Sequence, residues 1–133
     1  MRPLRIATLV KQVPKFEQMK LGDDGRLQRE GLELMLNPYC QRAVSKGVEL
    51  AKQSGGRCTV ITLGPPAAED VLRWGIAWGA DDGVLISDPA FAGSDSLATA
   101  RALRLACGTD RMPRPDATSR RVGRRRLCAS ARP

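Results

Sequence analysis

The residues best equipped for chemistry are four cysteines, Cys40, Cys58, Cys107 and Cys128, in a chain of 133 residues without a histidine. They stand 18, 49 and 21 residues apart and form no CxxC pair, a spacing that argues against a zinc site. Without histidine there is no Ser/His/Asp or Cys/His triad, and no side chain titrates near neutrality unless its environment shifts it. No residue offers itself as acid, base or nucleophile, so the chain reads as a binding or carrier protein rather than an enzyme. Nothing near Cys40 or Cys58 in sequence would activate a thiol, and both read as small core residues. Two other places suit an anion. Lys11 follows the first apolar run, and Asn37-Pro38 has the form of a helix start, with Asn as cap and Pro at the first helical position. The amino end of such a helix presents free amides and the positive end of its dipole. Neither GxGxxG nor GxxxxGK[ST] occurs, so a nucleotide would be held without a glycine-rich phosphate loop.

These residues need a scaffold, and the pattern of apolar residues supplies one. Residues 4–10 form a β-rich run that Pro14 stops. Residues 14–36 show no sustained period, but 19–28 reads as a small hairpin with Asp24-Gly25 at its turn. Tyr39, Ala43, Val44, Val48 and Ala51 recur at intervals of three and four, and Gly55-Gly56 ends that helix. A second strand over 58–63 leads through Gly64-Pro65-Pro66 into a helix over 67–78. A third strand over 83–86 is followed by a helix capped by Ser94, with Ala98, Ala102 and Leu105 as its apolar stripe. Trp74 and Trp78, four apart on the middle helix, read as core or subunit interface. Alternating strands and helices give an α/β fold, a doubly wound parallel sheet. In such sheets ligands sit beyond the carboxyl ends of the strands, which here means residues 9–13, 63–66 and 87–89.

Composition divides the chain at about residue 109. Residues 110–133 hold eight of the 22 basic side chains and two of the 14 acidic ones, and the eight are all Arg. Almost no aliphatic residue accompanies them, so 110–133 reads as a disordered Arg/Pro-rich tail and 1–109 as the domain. An arginine-rich arm could neutralise phosphates, but no aromatic or Gly-rich pattern for base stacking accompanies it, and nucleic acid is not the favoured partner. No apolar run approaches the roughly 20 residues of a bilayer span. The first residues lack a secretory signal, which reads as a cytoplasmic protein.

Four stretches, in order, resemble one family: Val10-Lys11-Gln12-Val13-Pro14, Asn37-Pro38-Tyr39-Cys40, Leu63-Gly64-Pro65 and Trp78-Gly79-Ala80-Asp81. They are similar to the beta (small) subunit of electron transfer flavoprotein, as is the segment over 91–100 to its bacterial members. The resemblance covers about residues 3–107. It implies a Rossmann-like sheet of the adenine nucleotide alpha hydrolase type. It also implies an electron carrier, a heterodimer with an alpha subunit that holds most of the FAD. Such a carrier takes electrons from acyl-CoA or similar dehydrogenases and passes them to a quinone-linked oxidoreductase. In that family the beta subunit buries an AMP, or a second flavin in the electron-bifurcating branch, at positions matching Leu9, Asn37, Pro38, Tyr39, Cys40 and Leu63. Leu9 and Leu63, at the ends of adjacent strands, would wall the adenine.

The resemblance stops where the composition changes. Family members are roughly twice as long and continue with a fourth strand beside the first, then a Gly-rich acidic loop around the nucleotide phosphates. Residues 108–115 have no apolar run for such a strand. The sequence therefore reads as an amino-terminal part truncated after the third β-α unit, with an unrelated tail of the kind a shifted reading frame produces. A central edge left unpaired lowers stability and favours aggregation. Two other readings of the same residues are a stand-alone adenine nucleotide-binding module and a nucleic-acid contact made through the tail.

Overall fold

The computed structural model describes residues 2–15, 20–26, 33–107 and, as backbone, 119–123. In chain order the elements are β1 (Arg5–Leu9), β2 (Gln12–Pro14), β3 (Leu34–Leu36), α1 (Pro38–Ser54), β4 (Arg57–Leu63), α2 (Glu69–Ala77), β5 (Asp82–Ile86), α3 (Ser96–Cys107) and β6 (Ser119–Gly123). Short 3-10 turns at Pro66–Ala68 and Pro89–Phe91 lead towards α2 and α3.

The main sheet has the order β1-β4-β5-β6. β4 is buried from Cys58 through Thr62, and all five residues of β5 are buried, as expected of parallel strands covered on both faces. β1 runs parallel to β4 with Ile6 opposite Cys58 and Leu9 opposite Ile61, and β4 runs parallel to β5 with Ile61 opposite Val84 and Leu63 opposite Ile86. This confirms the α/β class and the parallel core. Five residues of the stretch expected to be a disordered tail form β6, antiparallel to β5. The rest of that tail lies outside the described residues.

α1 owes its limits to local chemistry. The Asn37 side chain accepts a hydrogen bond from the Tyr39 amide, and Pro38 opens the first turn. At the other end Gly55 takes φ 66°, its N–H bonds the Lys52 carbonyl, and the Gly56 N–H bonds the Ala51 carbonyl. That paired arrangement satisfies two carbonyls that the helix end leaves open. Val44, Gly47, Val48 and Ala51 form the buried stripe; Ala43 and Tyr39, expected within it, are exposed. Gly47 lets the helix lie close on the sheet, because a Cβ there would sit 2.6 Å from Thr8 Oγ1.

Three other expectations change. The stretch around Pro14, read as the stop of the first run, is itself a strand: β2 pairs antiparallel with β3, Val13 opposite Met35, as a two-stranded ribbon off the main sheet. The expected turn is present between these strands, with Gly25 at φ 73° and its N–H on the Gly22 carbonyl. The expected arms at Met19 and at residues 27–28 lie outside the described residues. The cap of α3 is Asp95, whose carboxylate accepts the Ala98 N–H at 2.8 Å, while Ser94 bonds back to the Phe91 carbonyl. The inward side of α3 is Thr99, Ala102, Leu103 and Ala106, so Ala98 and Leu105 fall on the exposed side. No residue of α3 is fully buried.

The core is divided by the sheet. On one face α1 and α2 enclose Val44, Val48, Ala51, Val60, Leu72 and Ile76 with their neighbours. On the other, Leu103 and Ala106 of α3 pack on Ile61, Val84 and Ile86.

Candidate functional site

The carboxyl ends of β1 and β4 are where the expected residues meet. The Val10 N–H donates to the Ile61 carbonyl at 2.9 Å, keeping the end of β1 on β4. The next residue, Lys11, accepts the Asn37 N–H on its carbonyl at 3.1 Å. That bond fastens the amino end of α1 to the exit of β1, so Leu9, Asn37, Pro38, Tyr39, Cys40 and Leu63 all belong to one edge of the sheet. Leu9 and Leu63 share the sheet face covered by α3, as their register with Ile61 and Ile86 requires. Residues 37–40 sit at the end of the helix on the other face.

The individual environments differ. Leu9 is 48% exposed and free to meet an apolar ligand, whereas Leu63 is half-buried against the Ile61, Val84 and Ile86 cluster. Tyr39 is 79% exposed, so it does not serve as packing. Cys40 is half-buried against the core beneath α1. Trp74 and Trp78 are both substantially exposed, so neither is a core residue.

The helix end is not the anion site expected from its sequence. Pro38 has no N–H, the Tyr39 amide bonds the Asn37 side chain at 3.0 Å, and the Cys40 and Gln41 amides bond the Asn37 carbonyl at 2.9 and 3.3 Å. The first-turn donors are therefore engaged by the cap residue itself. What remains for an anion at this end is the helix dipole, worth about 0.3–1 kcal/mol at an exposed end.

A hollow of about 540 Å3 opens at this edge, lined by Leu9 and Lys11 and, from α3 and its lead-in, by Ser96, Thr99, Leu103, Arg104 and others. Of the six expected residues only Leu9 reaches it. Sequence reasoning singles out Lys11, but not Thr99 or Arg104; the 91–100 segment is recognisable without suggesting a role. A second hollow of about 340 Å3 lies between the β2–β3 ribbon and α2, beside Gln12, Met35, Ala67, Arg73 and Trp74. Gln12 falls within the expected stretch 9–13, but none of the six expected residues lines this hollow.

At the opposite edge of the sheet is a polar cluster with a structural role. Thr59 Oγ1 donates to Asp82 Oδ1 at 2.6 Å, Arg57 forms an ion pair with the same carboxylate at 3.5 Å, and Asp81 accepts the Cys58 N–H at 2.9 Å. Cys58 lies beneath, its thiol hydrogen-bonded with the Thr8 hydroxyl at 3.6 Å. Burial pushes the Cys58 thiol up, and the charges of Asp81 and Asp82 push the same way against the Thr8 hydrogen bond. A protonated, enclosed thiol suits the reading of Cys58 as a core residue. Among the described residues no cluster of His, Cys, Asp or Glu could hold a metal ion, and no helix is long and apolar enough to cross a membrane.

Comparison with known proteins fits this architecture. A family model, the electron transfer flavoprotein domain, matches residues 24–111. Protein FixA of Azorhizobium caulinodans is 42% identical over 104 residues, which cover 77% of this chain and 37% of FixA. The electron transfer flavoprotein subunit beta of Thermoanaerobacterium thermosaccharolyticum is 40% identical over 101 residues, 75% of this chain and 39% of that subunit. The acryloyl-CoA reductase electron transfer subunit gamma of Anaerotignum propionicum is 41% identical over 104 residues, 77% of this chain and 39% of that subunit. The chain thus spans less than two fifths of the length of these relatives. With the parallel sheet in place and residues 24–111 matched by the family model, the chain belongs to the electron transfer flavoprotein family and is similar to the amino-terminal part of its beta-type members.

Proposed function

We propose that this chain forms the amino-terminal part of a beta-type subunit of an electron carrier and works with an alpha subunit that holds FAD. Bound FAD would supply the redox chemistry, accepting electrons from an acyl-CoA or similar dehydrogenase. The part of this chain is to shape one wall of a nucleotide cradle for AMP, using Leu9, Asn37, Pro38, Tyr39, Cys40 and Leu63. The observation that carries the reading is the bond from the Asn37 amide to the Lys11 carbonyl, which joins the amino end of α1 to the end of β1 beside Leu9. Exposed Leu9 and Tyr39 suit the base and ribose. The phosphate end fits less well, since the first-turn amides are engaged and the cation that the fold ties to the cap, Lys11, is joined to it through its backbone carbonyl. AMP affinity is accordingly expected to be weak.

Asn37 is both the cap and a proposed ligand, and one substitution separates the two roles. Asn37→Ser keeps an oxygen for the Tyr39 amide but shortens the reach towards a ligand. Equilibrium dialysis is expected to show AMP uptake that changes little with salt and weakens about tenfold in Asn37→Ser, the loss of one good hydrogen bond. Equal AMP affinity in the two proteins would remove Asn37 from the cradle. Absence of AMP uptake both alone and with a flavin-bearing alpha subunit would overturn the reading. Uptake of oligonucleotides falling steeply with salt would instead favour a contact through the arginines.

A further inference from the structure

The hollow between the ribbon and α2 has walls that are each fixed in place. Val71, Leu72, Gly75 and Ile76 form the buried side of α2 and hold the helix on the sheet. Asp70 and Trp74, four residues apart and therefore neighbours on a helix surface, line the hollow with Leu34 and Met35 of β3. The ribbon is tied at both ends. At its base the Asn37 N–H bonds the Lys11 carbonyl at 3.1 Å, and beyond Pro14 the Lys15 N–H bonds the Glu33 carbonyl at 2.9 Å.

Among the described residues the charged side chains of this hollow are Asp70 and Arg73. Arg73 forms an ion pair with Glu69, one turn back, at 3.1 Å, so its charge is offset. Asp70 is exposed and, among the described residues, has no such partner. It stands in the first turn of α2, where Glu69 already supplies the negative charge that a helix start favours. An unbalanced carboxylate beside an exposed indole selects a cation, because the charge and the ring quadrupole both attract one. A phosphate would meet Asp70 instead. Guanidinium suits the place better than ammonium: it is planar, weakly hydrated, stacks on aromatic rings, and offers a fork of donors to a carboxylate. We propose that this hollow receives the side chain of an arginine presented by a different polypeptide, with its guanidinium held by Asp70 and Trp74.

Size and surroundings favour a polypeptide as the source of that group. The volume of about 340 Å3 is near the lower end of the roughly 300–1,000 Å3 of small-molecule sites, which suits one long side chain. Around it Leu34, Trp74 and Trp78 are exposed, apolar surface that residues flanking the arginine would cover and a free cation would not. Exposed Trp beside Met is also the composition of interface centres. A second copy is the less suitable partner, because two chains of net charge +8 repel each other. The inference does not rest on AMP binding.

The test uses the full chain and short blocked peptides with leucine on both sides of a central arginine, lysine or citrulline, the last being the neutral isostere of arginine. Affinity is read by calorimetry, and location by indole fluorescence in Trp78→Phe, which leaves Trp74 as the only indole of the chain. The arginine peptide is expected to bind and to shift the Trp74 emission. The citrulline peptide should bind at least about tenfold more weakly, since shape is kept and charge is lost, and the lysine peptide about threefold more weakly. Asp70→Asn should weaken the arginine peptide about tenfold and remove its advantage over citrulline. Asp70 is exposed, so this variant keeps its core; Trp74→Leu should weaken the same peptide, and if it fails to fold, Asp70→Asn carries the test. Equal binding of the arginine and citrulline peptides, or unchanged affinity in Asp70→Asn, would overturn the proposal. Equal binding of the lysine peptide would overturn the choice of guanidinium, and N-acetylarginine amide binding as tightly as the peptide would overturn the choice of a polypeptide. Displacement of the peptide by AMP would overturn it in favour of a nucleotide, and a Trp74 emission that shifts with protein concentration alone in favour of a second copy.

Discussion

The two faces of one sheet are covered very differently. On the α1 and α2 side, Val44, Val60 and Leu72 are fully enclosed, and Gly47 and Gly75 let the helix backbones come within contact distance of Thr8 and Val60. On the α3 side, Ile61, Val84 and Ile86 are buried, yet α3 offers only half-buried residues in return, and its Leu97 and Leu105 are 59% and 76% exposed. Both faces are apolar, so hydrophobicity alone does not explain the difference. The first two helices connect strands that are both present beside them. The third lies over a sheet in which, among the described residues, β1 has a neighbour on one side alone.

The sharpest way to break this comparison is to cut one leucine on each face. Leu72→Ala should cost about 2–5 kcal/mol, the range for enclosed leucines, and Leu103→Ala less than half as much, both read from urea unfolding. Equal losses would show that the faces are packed alike. Next in size, Gly47→Ala should destabilise by about 1–3 kcal/mol through overpacking against Thr8 and Cys58. Helix propensity alone would favour alanine by up to about 1 kcal/mol, so the sign of the change reports how closely α1 approaches. Asp82→Ala, which leaves the Thr59 hydroxyl without its short bond, should cost about 1–3 kcal/mol. Asn37→Ala should cost about 1 kcal/mol as a lost cap, most of it restored in Asn37→Ser.

The smallest effect is a pH dependence from the well-packed side. The folded state raises the Cys58 pKa, so it holds the thiol proton more tightly than the unfolded chain does. This contribution is complete below the unfolded thiol value of about 8.5 and is lost as pH rises through the folded value. Unfolding free energy should therefore decline above about pH 8.5, and Cys58→Ala should flatten that decline.

Legibility in the sequence follows the same division. α1 and β4 are readable because cap, Pro, periodic apolar positions and terminal Gly agree with each other within one short stretch. The phase of α3 is easily misread because Leu97, Leu103 and Leu105 spread apolar character around the helix, and Ser94, Asp95 and Ser96 are all cap-type residues. The ribbon escapes notice because three-residue strands, one ending in Pro14, carry no alternation to detect. β6 escapes it because its residues, Ser-Arg-Arg-Val-Gly, are not those of a typical strand and gain a ladder only against β5. At the site, sequence motifs point to Leu9, Asn37 and Leu63, which the fold brings to one edge of the sheet. Engagement of the first-turn amides is invisible in sequence, because it depends on where the Asn37 side chain and carbonyl point after folding.

The direction of β6 has a consequence for competition between ligands. The strand enters opposite Ile86 and leaves opposite Asp82, descending about five residues, roughly 16 Å, from the carboxyl pole of the sheet to its amino pole. The end of β6 at Gly123 thus lies at the pole opposite the α1 cap. That separation is about two Debye lengths at physiological salt. An anion held where β6 ends and a mononucleotide at the carboxyl ends of the strands would thus load independently, neither one displacing the other.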